Sequence, residues 1–511
     1  MGIQLPFPTP QIEYALLLPV LVVLGAAVVS VLVEAIAPES LRRTLQPLLA
    51  FGSLAIALAG CVGLWDQRQL VAMGALVVDG PSVLLQGTLL VLAILGALLM
   101  MESRVDPAGD PFAARASTIP GSADEQAFGS RRQTEVWPLF LFAVGGMLMF
   151  PAANDLLTAF IALEVFSLPL YLLTGMARRR RLLSQEAALK YFVLGAFSSA
   201  VFLFGSGLIY AATGSLDFGG IADAVSADPT SGLLLSAGVA LLLVGMFFKV
   251  GAAPFHQWSP DVYQGAPTAL TAFMSAATKV AAFGALLRVM FVALGGAAWD
   301  WQPAVAVIAG ISMLVGAVTA VVQSDIKRVL AYSSVAHAGF ILTGVLAASP
   351  KGLSGSLVYL VAYGFVTLAA FGLLTIVRSP AGEATDVRQW NGLAKKSPVT
   401  AAVFSLLLLA MAGLPLTSGF TAKFAAWSAA WGGWQTGVVV IGAVSSTIAA
   451  AFYLRIIVSM WFADGDDDVV VALPGLGTRA VVAVGAASAV VFGVAPQLLL
   501  GLVDDVGVFL R

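Results

Sequence analysis

The sequence predicts an all-α polytopic membrane protein, and three observations carry that prediction. Of the 511 residues, 59% are hydrophobic and only 11% are charged, whereas soluble domains carry about 25% charged residues. The mean hydropathy is +0.95. Apolar runs recur along the whole chain, and many reach the roughly 20 residues that an α-helix needs to cross the hydrocarbon of a bilayer.

The composition also excludes several classes of function. With a formal net charge of −2, the chain has no basic field that would recruit nucleic acid. Its single cysteine, Cys61, excludes an internal disulfide, a Cys-ligated iron–sulfur cluster and a Cys-rich zinc site. Its two histidines, His256 and His337, fall in different segments, which speaks against a bis-histidine haem. We therefore expect this chain to hold no metal and no cofactor.

Fourteen apolar segments, separated by polar or Pro- and Gly-rich breaks, predict about 14 transmembrane helices. They lie at 11–35, 44–65, 80–102, 135–151, 153–177, 185–212, 232–256, 265–295, 302–322, 327–348, 354–378, 397–430, 433–461 and 476–500.

Lysine and arginine in the loops set the orientation. Loops and helix ends after odd-numbered segments hold 18 of the 26 basic residues, Lys327 among them, and the opposite side holds four, including Arg288. Cytoplasmic loops carry the excess of basic residues in membrane proteins. We therefore expect the odd-numbered loops in the cytoplasm and both termini on the outer side.

The remaining four basic residues are lysines inside predicted helices, and Glu164 joins them there. The lysines are Lys190, Lys249, Lys279 and Lys423. A charge at the centre of a membrane helix costs about 2.5–3.5 kcal/mol on insertion scales, and such residues mark ion and proton pathways. A static buried ion pair without a transport role remains an alternative for Glu164 and one lysine. Five such groups in one bundle favour a proton relay linked by water.

His337 follows Tyr332, Ser333 and Ser334 in the tenth segment. Histidine titrates near neutral pH, and the neighbouring hydroxyls would suit a water-linked relay. A core histidine with satisfied hydrogen bonds explains the pattern equally well, so both interpretations stay open.

Two prolines, Pro254 and Pro415, interrupt apolar runs five segments apart, and each lies within eight residues of an intramembrane lysine. Proline breaks the helical hydrogen-bond ladder, and a pair of interrupted helices in corresponding positions is typical of duplicated transport folds. An odd shift of five reverses the direction of equivalent helices, so we predict two inverted five-helix repeats. The predicted organisation is a three-helix segment with a polar cytoplasmic loop (1–134), the first repeat (135–295), the second repeat (302–461) and a C-terminal helix (462–511).

Several motifs resemble the antiporter-like subunits of respiratory complex I, and in particular the N-type subunits. The resemblance covers about residues 130–460 and rests most on the long block KVGAAPFHQWSPDVYQGAPT (249–268). The other motifs are AANDLL (152–157), EVFSL (164–168), AALKYFVLGA (187–196), GSLD (214–217), DIKRVLAYSS (325–334), GLP (413–415) and FTAKF (420–424).

The resemblance implies a proton-translocating membrane-arm subunit of an NADH:quinone oxidoreductase in a bacterial plasma membrane. It implies other membrane-arm subunits and the lipid bilayer as partners. NADH, FMN, iron–sulfur clusters and quinone would be used elsewhere in the complex, so this chain would have no redox centre. It further implies that Glu164 and Lys249 form a switching ion pair modulated by Lys190, that Lys279 is the central relay, and that Lys423 ends the second half-channel.

Four alternatives remain open. A sister subunit of type L would carry a long lateral helix after the last segment, and type M would carry glutamate in place of Lys423. The large subunit of a multisubunit cation/proton antiporter shares the Glu–Lys pair, and a structural scaffold would not need five intramembrane charges. The loop at 103–134 is longer and more polar than the resemblance implies.

Overall fold

The computed structural model describes residues 12–106, 109–113, 133–227, 232–465 and 467–510. Most of the polar loop predicted at 103–134 lies outside the described residues. The helices are α1 (Leu18–Ile36), α2 (Glu39–Gly63), α3 (Gly80–Met100), α4 (Val136–Met149), α5 (Leu156–Thr174), α6 (Arg181–Thr213), α7 (Phe218–Ala227), α8 (Leu233–Val250), α9 (Trp258–Gly265), α10 (Thr268–Arg288), α11 (Ala298–Val321), α12 (Ile326–Leu346), α13 (Pro350–Leu374), α14 (Leu393–Lys396), α15 (Pro398–Ala412), α16 (Ser418–Ala429), α17 (Thr436–Phe462), α18 (Leu476–Val494) and α19 (Gln497–Asp504).

The predicted all-α membrane fold is confirmed. In the described part of the chain, 12 helices are long and apolar enough to cross a membrane, and two shorter apolar segments, Val136–Ala152 and Pro398–Ala412, accompany them. Each of the fourteen predicted segments overlaps one of these helices or shorter segments. The remaining helices of the described chain are short pieces of 4 to 12 residues at breaks and loops.

In the described ranges, five short strands form two small sheets outside the helix bundle. The hairpin β1 (Gln69–Val71) and β2 (Leu76–Val78) is antiparallel and leads into α3. The strands β3 (Val377–Ser379), β4 (Gly382–Glu383) and β5 (Val470–Val471) form an antiparallel sheet in the order β4-β3-β5.

Side-chain caps fix where several membrane helices begin. Asp79 accepts the backbone N–H of Ser82 at the start of α3, and Asp155 accepts that of Thr158 at the start of α5. Asp325 does the same for Arg328 at the start of α12. Each carboxylate satisfies an N–H group that has no partner within the helix, and it lies at the positive end of the helix dipole.

Three helices form the centre of the bundle. Within the apolar windows of α10, α12 and α13, 94% of the residues are buried, against 28% for α1 and α18. Helices α1 and α18 therefore lie at the periphery, whereas α10, α12 and α13 are enclosed by protein. Lys279 and His337 come from this central group.

Both predicted helix breaks are present. Helix α8 ends at Val250, Gly251 takes a φ of +72°, and α9 begins at Trp258, with Pro254 in the gap. In the second half of the chain, α15 ends at Ala412, Gly413 takes a φ of +83°, and α16 begins at Ser418, with Pro415 in the gap. The left-handed φ suits glycine, because glycine has no Cβ to clash with the following carbonyl.

The seventh predicted segment, 232–256, ends inside the break, and a further short helix, α9, follows from Trp258 to Gly265. This half-helix contains Ser259, Pro260, Asp261 and Gln264, whose polarity hides it from a hydropathy reading.

Two basic residues assigned to helix ends are more buried than that assignment implied. Arg288 is fully buried and forms an ion pair with Asp79 at 2.8 Å. Lys327 is 3% exposed and donates to the carbonyls of Gln264 and Ala266.

Candidate functional site

Lys249 lies in the last turn of α8, with its amine enclosed by α5 and α6. The residue is 4% exposed, and its Nζ donates to the Ser167 hydroxyl at 2.6 Å. Three aromatic rings surround the amine, with centroids 5.0 to 5.6 Å from Nζ: Phe166, Tyr171 and Tyr191. Aromatic faces attract cations, so this cage offsets part of the cost of burying the ammonium group.

Glu164 lies one helical turn before Ser167 on α5, so both residues share one face of the helix. Its Oε1 is buried and has no hydrogen-bond partner within the described structure. No ion pair within 4.0 Å joins Glu164 to Lys249 in the part of the chain that is described. The described residues that were predicted as a switching pair therefore form no ion pair within 4.0 Å, and the lysine donates to Ser167 instead.

Lys190 has different surroundings from the other intramembrane lysines. Its side chain is 43% exposed, and Nζ forms ion pairs with Glu186 on the same helix and with Asp261 on α9, each at 2.7 Å. The contact with Asp261 could not be inferred from the sequence. Among the described residues, Lys190 forms no ion pair with Glu164.

Lys279 lies in the middle of α10 and is 3% exposed. Its Nζ donates to the backbone carbonyl of Ser334 on α12 and lies 5.4 Å from the ring centroid of Tyr363 on α13. The central lysine is thus held by residues of α12 and α13.

His337 lies next to the same tyrosine. Its ring centroid is 5.0 Å from that of Tyr363, and its Nδ1 forms a 2.7 Å hydrogen bond with the Tyr359 hydroxyl. The imidazole is 4% exposed. Tyr363 therefore contacts both Lys279 and His337, which lie on different helices.

Lys423 completes this cluster from α16. Its Nζ donates to the carbonyls of Ala412 at 2.7 Å and Met411 at 3.3 Å, and to the Ser446 hydroxyl at 2.7 Å. The last carbonyls of a helix have no partner within it, and the break after α15 leaves these two available to the lysine.

The ring of Phe340 connects Lys423 with His337. The ring centroid lies 4.8 Å from the Lys423 Nζ and 5.6 Å from the imidazole centroid. A cavity of about 10 Å³ borders His337, Tyr359 and Tyr363, and such a volume is about enough for one water molecule. Lys279, His337 and Lys423 thus form one cluster, which we call the central cluster.

The structure therefore arranges the predicted residues in two groups. Glu164 and Lys249 occupy the first site, and the central cluster occupies the second. The sequence did not reveal the uncharged partners that hold the lysines and His337, namely Ser167, Phe166, Tyr171, Tyr191, Ser446, Phe340, Tyr359 and Tyr363. Serine and aromatic residues are frequent in membrane helices, so only the spacing of Ser167 from Glu164 offered a signal.

Comparison with known proteins identifies the family. A family model described as "NADH:quinone oxidoreductase/Mrp antiporter, TM" matches residues 153–449. A protein of Parafrankia sp. (strain EAN1pec) named NADH-quinone oxidoreductase subunit N is 54% identical over 497 residues, which are 96% of this chain and 94% of that protein. The protein of the same name from Mycobacterium tuberculosis (strain ATCC 25618 / H37Rv) is 50% identical in an alignment of 529 positions, which covers 99% of each chain.

Solved structures share the fold. A chain in the structure of respiratory complex I from Thermus thermophilus with bound aureothin is 31% identical, with a TM-score of 0.77 over 94% of this chain and 98% of that one. A chain of the Mrp complex from Dietzia sp. DQ12-45-1b has a TM-score of 0.82 at 23% identity, covering 97% of each chain. The second likeness shows the fold alone. From the family match and the near-full-length relatives, the chain belongs to the NADH-quinone oxidoreductase subunit N family.

Proposed function

We propose that the chain is a proton-translocating membrane-arm subunit of an NADH:quinone oxidoreductase. It couples electron transfer in other subunits to proton movement across a bacterial plasma membrane, and it holds no redox centre itself. NADH, FMN, iron–sulfur clusters and quinone belong to its partners in the complex. The near-full-length relatives, which carry the name NADH-quinone oxidoreductase subunit N, support this proposal.

One observation carries the proton-translocation part of the proposal. Lys249, Lys279 and Lys423 are each at most 4% exposed, and none forms an ion pair within 4.0 Å among the described residues. Hydroxyl groups, carbonyls and aromatic rings hold the amines instead. Such neutral ligands accept an amine in either protonation state, whereas a fixed carboxylate would be stranded when its lysine released a proton.

The proposed path begins on the cytoplasmic side at Glu164 and Lys249, with Lys190 as a neighbouring charge. Protons pass to Lys279 and His337, then to Lys423, and leave on the outer side. Contacts within the central cluster support the second half of this path, from Lys279 through His337 to Lys423. The step from Lys249 to Lys279 belongs to the proposal.

The proposal also includes the repeat organisation of the chain and its orientation in the membrane. The two five-helix units, 135–295 and 302–461, are inverted copies, and both termini lie outside. The matching breaks support the repeats, because each has a left-handed glycine directly after its first half-helix and a proline two or three residues further on. The packing of α4 on α5 also has a counterpart in that of α11 on α12.

A multisubunit cation/proton antiporter is the other candidate function. The fold shared with the Mrp complex does not favour it, since 23% identity shows only the fold. The relatives at 50–54% identity carry the oxidoreductase name.

The proposal is tested in membrane vesicles that contain the whole complex. Lys249→Ala and Glu164→Gln should each lower NADH-driven proton pumping by at least about tenfold, because loss of one proton carrier interrupts the relay. Oxidation of NADH with a soluble electron acceptor should persist. Lys395→Ala is the control, since Lys395 is an exposed lysine paired with Asp464. Normal pumping in both site variants would refute the relay.

A further inference from the structure

Asp261 joins three helices at one carboxylate. It lies in the first turn of α9, the half-helix after the Pro254 break. Its Oδ2 accepts from Lys190 on α6 at 2.7 Å, and its Oδ1 accepts from Arg328 on α12 at 2.7 Å. One residue of the broken helix thus contacts a lysine of the first predicted repeat and an arginine of the second.

One end of α9 belongs to the Lys249 site. Trp258 stacks on Tyr191 with ring centroids 4.7 Å apart and planes inclined by 6°, and Tyr191 is part of the aromatic cage around Lys249. The Trp258 indole N–H also donates to the Phe248 carbonyl at 2.9 Å, in the turn of α8 that carries the lysine.

The other end of α9 is bound to the start of α12. The Gln264 amide donates to Asp325 at 3.2 Å, and Lys327 donates to the Gln264 and Ala266 carbonyls at 3.2 and 2.9 Å. Helix α12 carries His337 of the central cluster, and also Ser334, whose carbonyl binds Lys279. A displacement of α9 therefore acts on the Lys249 cage at one end and on α12 at the other.

Helix α9 is short enough to move as a unit. It has eight residues, and non-helical backbone flanks it at 251–257 and at 266–267. Hinge segments at both ends of a rigid piece are a common basis of conformational switching.

Lys190 and Arg328 would each keep other hydrogen-bond acceptors without Asp261. Lys190 keeps Glu186 at 2.7 Å, and Arg328 keeps the side-chain oxygens of Gln264 and Gln323 at 3.2 and 3.1 Å. The carboxylate is 32% exposed, and ion pairs of that exposure add little stability. Its specific contribution is to fix α9 between α6 and α12.

We propose that Asp261 is a positioning residue that couples the Lys249 site to the central cluster through α9. This inference rests on the proposed proton-translocating function. Lys190 and Arg328 are the two contacts through which the carboxylate acts.

The test measures protons pumped per NADH oxidised in vesicles containing the intact complex. Asp261→Asn should lower this ratio by about 2- to 30-fold, the range in which residues between coupled sites act. Asp261→Glu keeps the carboxylate and should recover most of the ratio. Glu186→Gln is the matched control, because it removes the other carboxylate of Lys190 without touching α9, and it should pump normally.

A second variant addresses the same link from α12. Arg328→Gln should lower the ratio as Asp261→Asn does, and the double variant should be no worse than the weaker-pumping single variant, because residues in direct contact act non-additively. This cycle remains informative if Asp261→Asn assembles poorly.

The outcomes separate the two proposals. If Lys249→Ala abolishes pumping while Asp261→Asn and Arg328→Gln pump normally, the coupling role is wrong and the relay stands. If Lys249→Ala also pumps normally, the proposed function itself fails. Equal losses in Glu186→Gln and Asp261→Asn would also overturn the coupling role, since they would trace the effect to the charge around Lys190 rather than to α9.

Discussion

Two buried lysines lie at the carbonyl ends of half-helices. Lys249 occupies the last turn of α8, and Lys423 donates to the final carbonyls of α15. The C-terminus of a helix carries the equivalent of about half a negative charge. The helix breaks therefore supply a fixed partial charge that stabilises an ammonium group without a titratable partner, which suits a group that must both hold and release a proton.

The Ser167 hydroxyl is expected to tune Lys249. Ser167→Ala removes the acceptor at 2.6 Å, and hydrogen bonds to charged groups contribute about 1.5–3 kcal/mol. Pumping driven by NADH should slow by about tenfold or more while the complex still assembles. Ser206→Ala is the control, because this buried serine donates to the Phe202 carbonyl within its own helix. Equal rates in the two variants would contradict a role for the hydroxyl.

At the residue scale, the sequence revealed charges but not their partners. Lys249, Lys279 and Lys423 stand out because charge is expensive inside a membrane. Ser334 binds Lys279 through its backbone carbonyl, which any residue type could provide. The Asp261 contact with Lys190 spans 71 positions, so no local pattern could reveal it. Partner choice depends on tertiary packing, which single-sequence patterns do not contain.

At the scale of secondary-structure elements, the sequence predicts where the two helices break but not the half-helix that follows the first break. Proline and glycine inside an apolar run predicted both breaks, because their backbone properties act locally. The half-helix α9 was missed because its polar residues interrupt the hydropathy signal. Those polar residues are buried against α6 and α12 or paired with them, an environment that hydropathy cannot anticipate.

The two break glycines allow a matched test. In Gly413→Ala the new Cβ would lie 2.9 Å from the Lys423 Nζ, whereas Gly251→Ala would meet no atom within 4 Å. Both positions have positive φ, and the left-handed conformation costs about 1–2 kcal/mol for a residue with a Cβ. Both variants should lose similar stability in thermal unfolding, but only Gly413→Ala should also reduce proton pumping strongly. An equal pumping loss would assign the effect to backbone strain.

Glu102 anchors α18 to the end of α3 in a pH-dependent way. Its Oε2 accepts the Gly475 N–H at 2.7 Å and the Thr478 hydroxyl at 2.8 Å. Burial acts to raise the pKa of Glu102, but hydrogen bonds from Arg104, Thr478 and Gly475 outweigh it and hold the pKa below its ordinary value of 4.5. A lowered pKa in the folded state means that the contact stabilises the fold above 4.5 and is lost as the pH falls below that value.

Hydrogen exchange of the first turn of α18, corrected for intrinsic rates, measures this effect. Exchange should accelerate as the pH falls below 4.5, the ordinary pKa of Glu102. Glu102→Gln should show the faster exchange already at neutral pH and little further change in acid. A variant with normal exchange at neutral pH would show that the carboxylate does not hold α18.

At the scale of the whole molecule, one buried ion pair joins parts of the chain that are far apart in sequence. Asp79 precedes α3, Arg288 ends α10, and both side chains are 0% exposed. The C-terminal segment closes the pair, because the Leu510 N–H donates to Asp79 at 2.9 Å and the Phe509 ring lies 4.5 Å from the Arg288 guanidinium carbon. The Pro151 carbonyl accepts from Arg288 at 2.9 Å. From the sequence alone, Arg288 serves only as a marker of orientation.

Asp79→Asn should destabilise the chain more than any exposed ion-pair variant. The substitution leaves the Arg288 charge buried without a counter-ion, and breaking a buried pair in this way costs about 3–5 kcal/mol. The control is Asp464→Asn, whose partner Lys395 is 63% exposed and whose loss should cost at most about 1 kcal/mol. Thermal unfolding of the purified complex in detergent compares the two variants. If both shift the midpoint equally, the Asp79–Arg288 pair does not hold α3, α10 and the C-terminal segment together.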